Sequence, residues 1–167
     1  MRLLFRIYIR VIRPITSPLL YWILKPFYWR LPDKWEEIKE YDEDNFARVL
    51  AEYDYLHDPI GGFLDFSPQQ KDYFFNDLNF GRDCDGWSRL WYWWAKEKGL
   101  EVYEIAMLDK NSIDGFSISA HMVTVAKVNG EYRLYDYRPK GNAETIEKVL
   151  EKNAVEYEEF SWLVYKR

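Results

Sequence analysis

Cysteine is almost absent: the 167 residues contain one, Cys84. No intramolecular disulfide can form, so a disulfide-stapled secreted scaffold is excluded and a reducing compartment, the cytoplasm, is the plainer setting. Histidine is nearly as scarce, with only His57 and His121, so no zinc centre of the Cys/His type can be assembled. The longest uncharged run in the N-terminal part, from Pro14 to Leu24, is 11 residues long, whereas a membrane-spanning helix needs about 20. Arginines break up the apolar core that a signal peptide would need, and no small-residue cleavage site follows. Internal repeats, low-complexity tracts, phosphate loops and calcium loops are all missing, and no metal or cofactor is expected.

Acidic residues are missing from residues 1–30, which hold six basic ones: Arg2, Arg6, Arg10, Arg13, Lys25 and Arg30. The rest of the chain has 17 basic residues against 28 acidic ones, a net of −11. Such asymmetry predicts two segments with different tasks, a basic apolar arm over 1–30 and a folded domain over 31–167. The acidic body disfavours nucleic acid as a partner. In the arm, the arginines recur at spacings of four, four and three, which is one stripe on a helix. Pro14, Pro18 and Pro26 interrupt that helix. An interfacial helix on an anionic membrane, or a docking arm for another protein, fits this pattern.

Aromatic residues are abundant at 19%, with eight Trp, and Trp87, Leu90, Trp91 and Trp94 stand at i, i+3, i+4 and i+7. That spacing predicts a strongly amphipathic helix, stopped at Gly99, with Trp93 on its other side. Upstream, Asp33 is placed to cap a short acidic helix, apolar periodicity covers 45–55, and Ser67–Pro68 opens a helix running to about Leu78. Downstream, EVYEIAML reads as a strand and 109–120 as a loop. His121–Val128 and Glu131–Tyr137 read as strands joined by an Asn129–Gly130 hairpin turn. A helix is predicted over 142–152 and a last strand within 155–165. His57, beside Asp58 and Pro59, reads as a surface turn residue.

Cys84 falls at the start of the Trp-rich helix, where free N–H groups and the helix dipole favour thiolate. Asp83 and Asp85 oppose that, although Asp83 is also placed to cap the helix. A two-residue hairpin turn makes paired numbers sum to 259, so His121 and Asp136 become diagonal neighbours on one face. That face, with Val123, Val125 and Leu134, is expected to pack against the Cys84 helix. Nucleophile, base and orienting carboxylate are then Cys84, His121 and Asp136. The oxyanion hole is expected to use the Cys84 N–H and a side chain from among Asn79, Asn76, Tyr73 and Gln70.

GRDCDGW followed by AHMVTVAKVNGEYRLYDY resembles the transglutaminase-like superfamily, within the papain-like cysteine-nucleophile group. Its pattern is a Cys opening a helix, a His leading a strand, and an Asp about fifteen residues on in the next strand. The resemblance covers roughly 68–137. It implies an α+β fold with a nucleophile helix on an antiparallel sheet, and it maps Cys84, His121 and Asp136 onto the triad. It also implies acyl transfer through a thioester on a protein or peptide substrate, at a glutamine or peptide amide. Gly86 departs from the pattern, since many relatives carry an acidic residue there. The competing expectation is a non-catalytic binding or structural protein on the same fold, held by its N-terminal arm to a membrane surface or larger assembly.

Overall fold

The computed structural model describes residues 11–12, 15–16, 19, 22–23, 34–56, 75, 82–108, 120–153 and 163–165. The helix expected from Ser67–Pro68 except for Phe75, the loop at 109–120 except for Ala120, and His57 lie outside them. Two short helices, α1 (Lys34–Ile38) and α2 (Glu43–Leu50), precede the long helix α3 (Cys84–Glu97). Strands β1 (Val102–Leu108), β2 (Ala120–Val128), β3 (Glu131–Asp136) and β4 (Arg138–Ala143) follow. Helix α4 (Ile146–Asn153) and a three-residue strand β5 (Leu163–Tyr165) complete the described chain. The strands form one antiparallel sheet in the order β4-β3-β2-β1-β5. The chain is thus α+β, with helices packed on an antiparallel sheet.

Local chemistry explains the long elements. Asp83 caps α3, its side chain accepting from the Asp85 N–H. At the other end Gly99 takes φ +68°, a left-handed conformation that glycine adopts without steric cost. The Leu100 N–H then bonds back to the Ala95 carbonyl at 2.9 Å, closing the helix as a Schellman motif does. Asn129 and Gly130 have φ of 52° and 89°, as a type I′ hairpin requires. Val128 faces Glu131, Val125 faces Leu134 and Thr124 faces Tyr135, the register expected from the turn.

Helices cover both faces of the sheet. Trp87, Leu90, Trp91, Trp94 and Ala95 of α3 form one cluster with Trp35, Phe46, Leu50, Ala126 and Tyr135. Trp91 stacks on Tyr135 at 4.6 Å and meets Phe46 edge-on at 4.9 Å. Ile105, Met107, Val123, Val125 and Leu134 instead pack with Val149 and Leu150 of α4. The expectation that α3 covers the Val123–Val125 face is therefore corrected: α3 lies on the alternate residues of β2. The reason is steric and polar complementarity. Ala126 leaves room for indole rings, and Thr124 answers Ser88 with a hydroxyl pair at 2.9 Å. Helix α4 takes the face of Ile105, Met107, Val123, Val125 and Leu134.

Two further expectations change. The stretch predicted as a helix over 142–152 begins with the end of β4, and α4 starts at Ile146, where the Thr145 hydroxyl accepts from the Lys148 N–H at 3.2 Å. Strand β4 (RPKGNA) carries a proline and a glycine, residues that mask a strand in sequence but are tolerated at a sheet edge. A Cβ at Gly141 would lie 2.5 Å from the Asn153 side chain, so a larger residue there would push aside the Asn153 amide, which accepts from the Gly141 N–H at 3.1 Å. Trp93 is half-covered rather than outward-facing: Trp35 meets it edge-on at 6.3 Å and the Arg89 guanidinium lies 6.0 Å from its ring. In place of the run predicted over 45–55, α2 starts at Glu43 because Asp42 caps it, accepting from the Asn45 N–H at 2.8 Å.

Beneath α3 lies a buried charge pair. Arg89 Nε and Glu104 Oε1 are 2.7 Å apart, with side chains 6% and 2% exposed. They are off hydrogen-bond alignment, so charge rather than an aligned hydrogen bond holds them. Glu104→Gln is expected to cost about 3–5 kcal/mol, because it strands the guanidinium in a dry layer. The double replacement Arg89→Met, Glu104→Leu is expected to cost less than either single change. Urea unfolding of Arg89→Met, Glu104→Leu and their combination, beside Glu104→Gln, checks this, and additive single costs would refute it.

Candidate active site

The direction of α3 sets which residues meet at its start. Ser88 lies over Thr124, whose hydroxyl also donates to the Ser88 carbonyl at 2.6 Å. Beyond the other end of α3, the Lys127 N–H bonds to the Glu101 carbonyl at 2.8 Å. Helix α3 therefore runs along β2 in the same direction. One turn back from Ser88, about 6 Å along the axis, Cys84 comes level with the first residues of β2. His121 is the second residue of that strand and Asp136 the last of β3, so all three occupy one end of the sheet.

His121 and Asp136 meet directly. The ring Nε2 and the carboxylate Oδ1 are 2.8 Å apart, each side chain 12% exposed. An ionised Asp136 accepts from Nε2–H, which leaves Nδ1 as the basic nitrogen of a neutral ring. The second carboxylate oxygen accepts from Lys140 Nζ at 2.7 Å. Burial pushes the Asp136 carboxyl up, but hydrogen bonds and positive charge from His121 and Lys140 outweigh it, and the group sits below its ordinary value. Lys140 was not among the residues expected from sequence. Its register shifts between Arg133 and Tyr135, where Lys140 and Gly141 together oppose Leu134, and such bulges re-aim side chains.

Cys84 is the first residue of α3 and is half-buried. The chain entering it is tied down twice through one carbonyl: Arg82 O accepts from Trp87 Nε1 at 3.0 Å and from the Leu56 N–H at 3.2 Å. The second bond delivers Tyr55 to the site. The Tyr55 ring meets that of Tyr137 edge-on at 5.5 Å, and their hydroxyls are hydrogen-bonded. Burial, then the negative charge of Cys84, pushes the Tyr55 phenol up to about 12. Burial, Tyr55, Cys84 and Asp136 raise Tyr137 as well. Both phenols thus stay protonated near neutral pH.

Tyr137 joins the two halves of the site. Its ring lies 5.8 Å from that of His121 and 5.8 Å from that of Trp87, while its hydroxyl feels the Cys84 charge. The residue holds φ 56° between β3 and β4, a conformation costing about 1–3 kcal/mol for a side chain of this kind. Nothing in YDYRP announces a left-handed tyrosine, and Tyr55 lies too far upstream for spacing to link it to Cys84. The proposed oxyanion donors Asn79, Asn76, Tyr73 and Gln70 lie outside the described residues. Among the described residues, no group of three or more His, Cys, Asp or Glu is placed to hold a metal ion. No family model, curated protein or solved structure matches the chain.

The Asp136 geometry has a pH signature. A carboxyl held below its unfolded value adds stability above that value and loses it as pH falls through the folded pKa. Removing the lysine in Lys140→Met lets the folded value of Asp136 rise. The acid limb of the stability curve should then move to higher pH, while the loss near neutrality stays below about 1 kcal/mol because the lysine is partly exposed. Thermal melts across pH measure both, and an unshifted acid limb would show that Lys140 does not hold this carboxylate.

Proposed function

We propose that the chain is a cysteine-dependent acyl-transfer enzyme of the transglutaminase-like kind, with Cys84 as nucleophile, His121 as base and Asp136 as the orienting carboxylate. The observation that carries it is the 2.8 Å contact of His121 with Asp136 at the end of the sheet where the capped N-terminus of α3 presents Cys84. A helix start lowers a thiol pKa, and an adjacent imidazole takes its proton. The Cys84 sulfur attacks an amide carbonyl carbon, forming a C–S bond. The C–N bond breaks as the imidazolium of His121 protonates the departing amine. Water or a second amine then attacks the thioester and releases the thiolate, giving hydrolysis or transamidation. A peptide amide or glutamine side chain suits this sequence. The Cys84 N–H is the first donor to the oxyanion.

A second reading, a binding or structural protein without turnover, draws support from Asp83 and Asp85, whose charges flank the sulfur and oppose thiolate formation. Thiol reactivity separates the two. At mildly acidic pH, iodoacetamide is expected to alkylate Cys84 faster than a free thiol, and His121→Ala to slow it roughly tenfold. Equal rates in the two proteins would mean that sulfur and imidazole are uncoupled, and the enzyme reading would fall.

A further inference from the structure

The N-terminal arm presents apolar side chains that the sheet and its helices do not bury. Ile15, Leu19, Trp22 and Ile23 are 65%, 60%, 73% and 60% exposed, and Val11 and Ile12 are exposed too. Residues 15, 19, 22 and 23 have helical backbone. Leu19, Trp22 and Ile23, which follow Pro18, stand at i, i+3 and i+4, the spacing of one helix face. In sequence the same arm carries Arg2, Arg6, Arg10 and Arg13. No helix among the described residues is long and apolar enough to cross a membrane.

We propose that this arm lies in the surface of an anionic bilayer, with the exposed apolar side chains of Val11, Ile12, Ile15, Leu19, Trp22 and Ile23 bedded at the boundary of headgroups and acyl chains. Three features select a lipid surface over a protein groove. Exposed apolar side chains with helical backbone, in an arm whose sequence is rich in arginine, are the pattern of an interfacial segment. An exposed tryptophan among these side chains suits the headgroup boundary. Six basic residues with no acidic residue among 1–30 complement a surface of one sign, as anionic headgroups offer. The acidic remainder of the chain would be repelled by the same lipid, so the arm would hold the folded domain at the surface without laying it flat.

The test uses the full chain with vesicles of phosphatidylcholine alone and of phosphatidylserine with phosphatidylcholine at one to three. Sedimentation with the anionic vesicles is expected, with much weaker partition to the neutral ones and loss on adding salt. Ile15→Ser, Leu19→Ser, Ile23→Ser together should reduce the partition at least tenfold, and so should Arg6→Gln, Arg10→Gln, Arg13→Gln together. Thermal melts should be unchanged in the serine variant, since Ile15, Leu19 and Ile23 are exposed. Absence of sedimentation with anionic vesicles would overturn the proposal, as would equal binding to neutral lipid that ignores the arginines. A dimer in light scattering that the serine variant dissociates, without vesicle binding, would assign these side chains to a second copy and overturn it as well.

Discussion

The seat of α3 on the sheet is the constraint from which the rest follows. The Ser88–Thr124 hydroxyl pair is buried beside a layer of indole rings, where a hydroxyl without its partner would be costly. It therefore fixes both the face of β2 that the helix occupies and the position along it. Trp91 on Tyr135 fixes the lateral position, because stacked rings tolerate little sliding in a packed core. With those contacts in place, the helix axis points its N-terminus at the end of the sheet where β2 begins and β3 finishes. The candidate site is at that end for no other reason.

Sheet alternation then poses a geometric problem. His121 shares parity with Val123 and Val125, on the face away from α3, while Cys84 rides on the α3 side. Tyr137 sits where the faces meet. Its left-handed backbone turns the chain sharply between β3 and β4 and brings its ring between the imidazole and Trp87. Local strain of this kind persists only where surrounding contacts over-determine it. Here Trp87, His121 and Tyr55 surround the ring, and Trp91 Nε1 approaches the Tyr137 carbonyl at 3.4 Å.

Charge is handled separately in each layer. Under α3 the Arg89–Glu104 pair is sealed from water. At the edge of α2, Glu43 accepts from Arg133 Nη1 at 2.6 Å and from the Tyr135 hydroxyl at 3.1 Å, tying the aromatic cluster to β3. At the site, Asp136 is shared between His121 and Lys140. The first two pairs stiffen the scaffold, whereas the last sets which ring nitrogen of His121 carries the proton.

Local chemistry alone determined a good deal. The Trp spacing, the Asp83 cap and Gly99 marked α3, and Asn129–Gly130 set the hairpin register that makes His121 and Asp136 diagonal neighbours. These are short-range effects, decided within a few residues of the chain. Which face α3 would choose was not legible, because both faces of β2 are apolar enough to be buried and only the matching of Ala126 and Thr124 to α3 separates them. Strand β4 was hidden by Pro139 and Gly141, whose meaning depends on lying at an edge under α4. Tyr55, Tyr137 and Lys140 reach the site through a bridge between distant backbones, a positive φ and a bulge. Each depends on how the sheet twists and where its neighbours press on it, and such long-range packing leaves no periodic trace in the order of the residues.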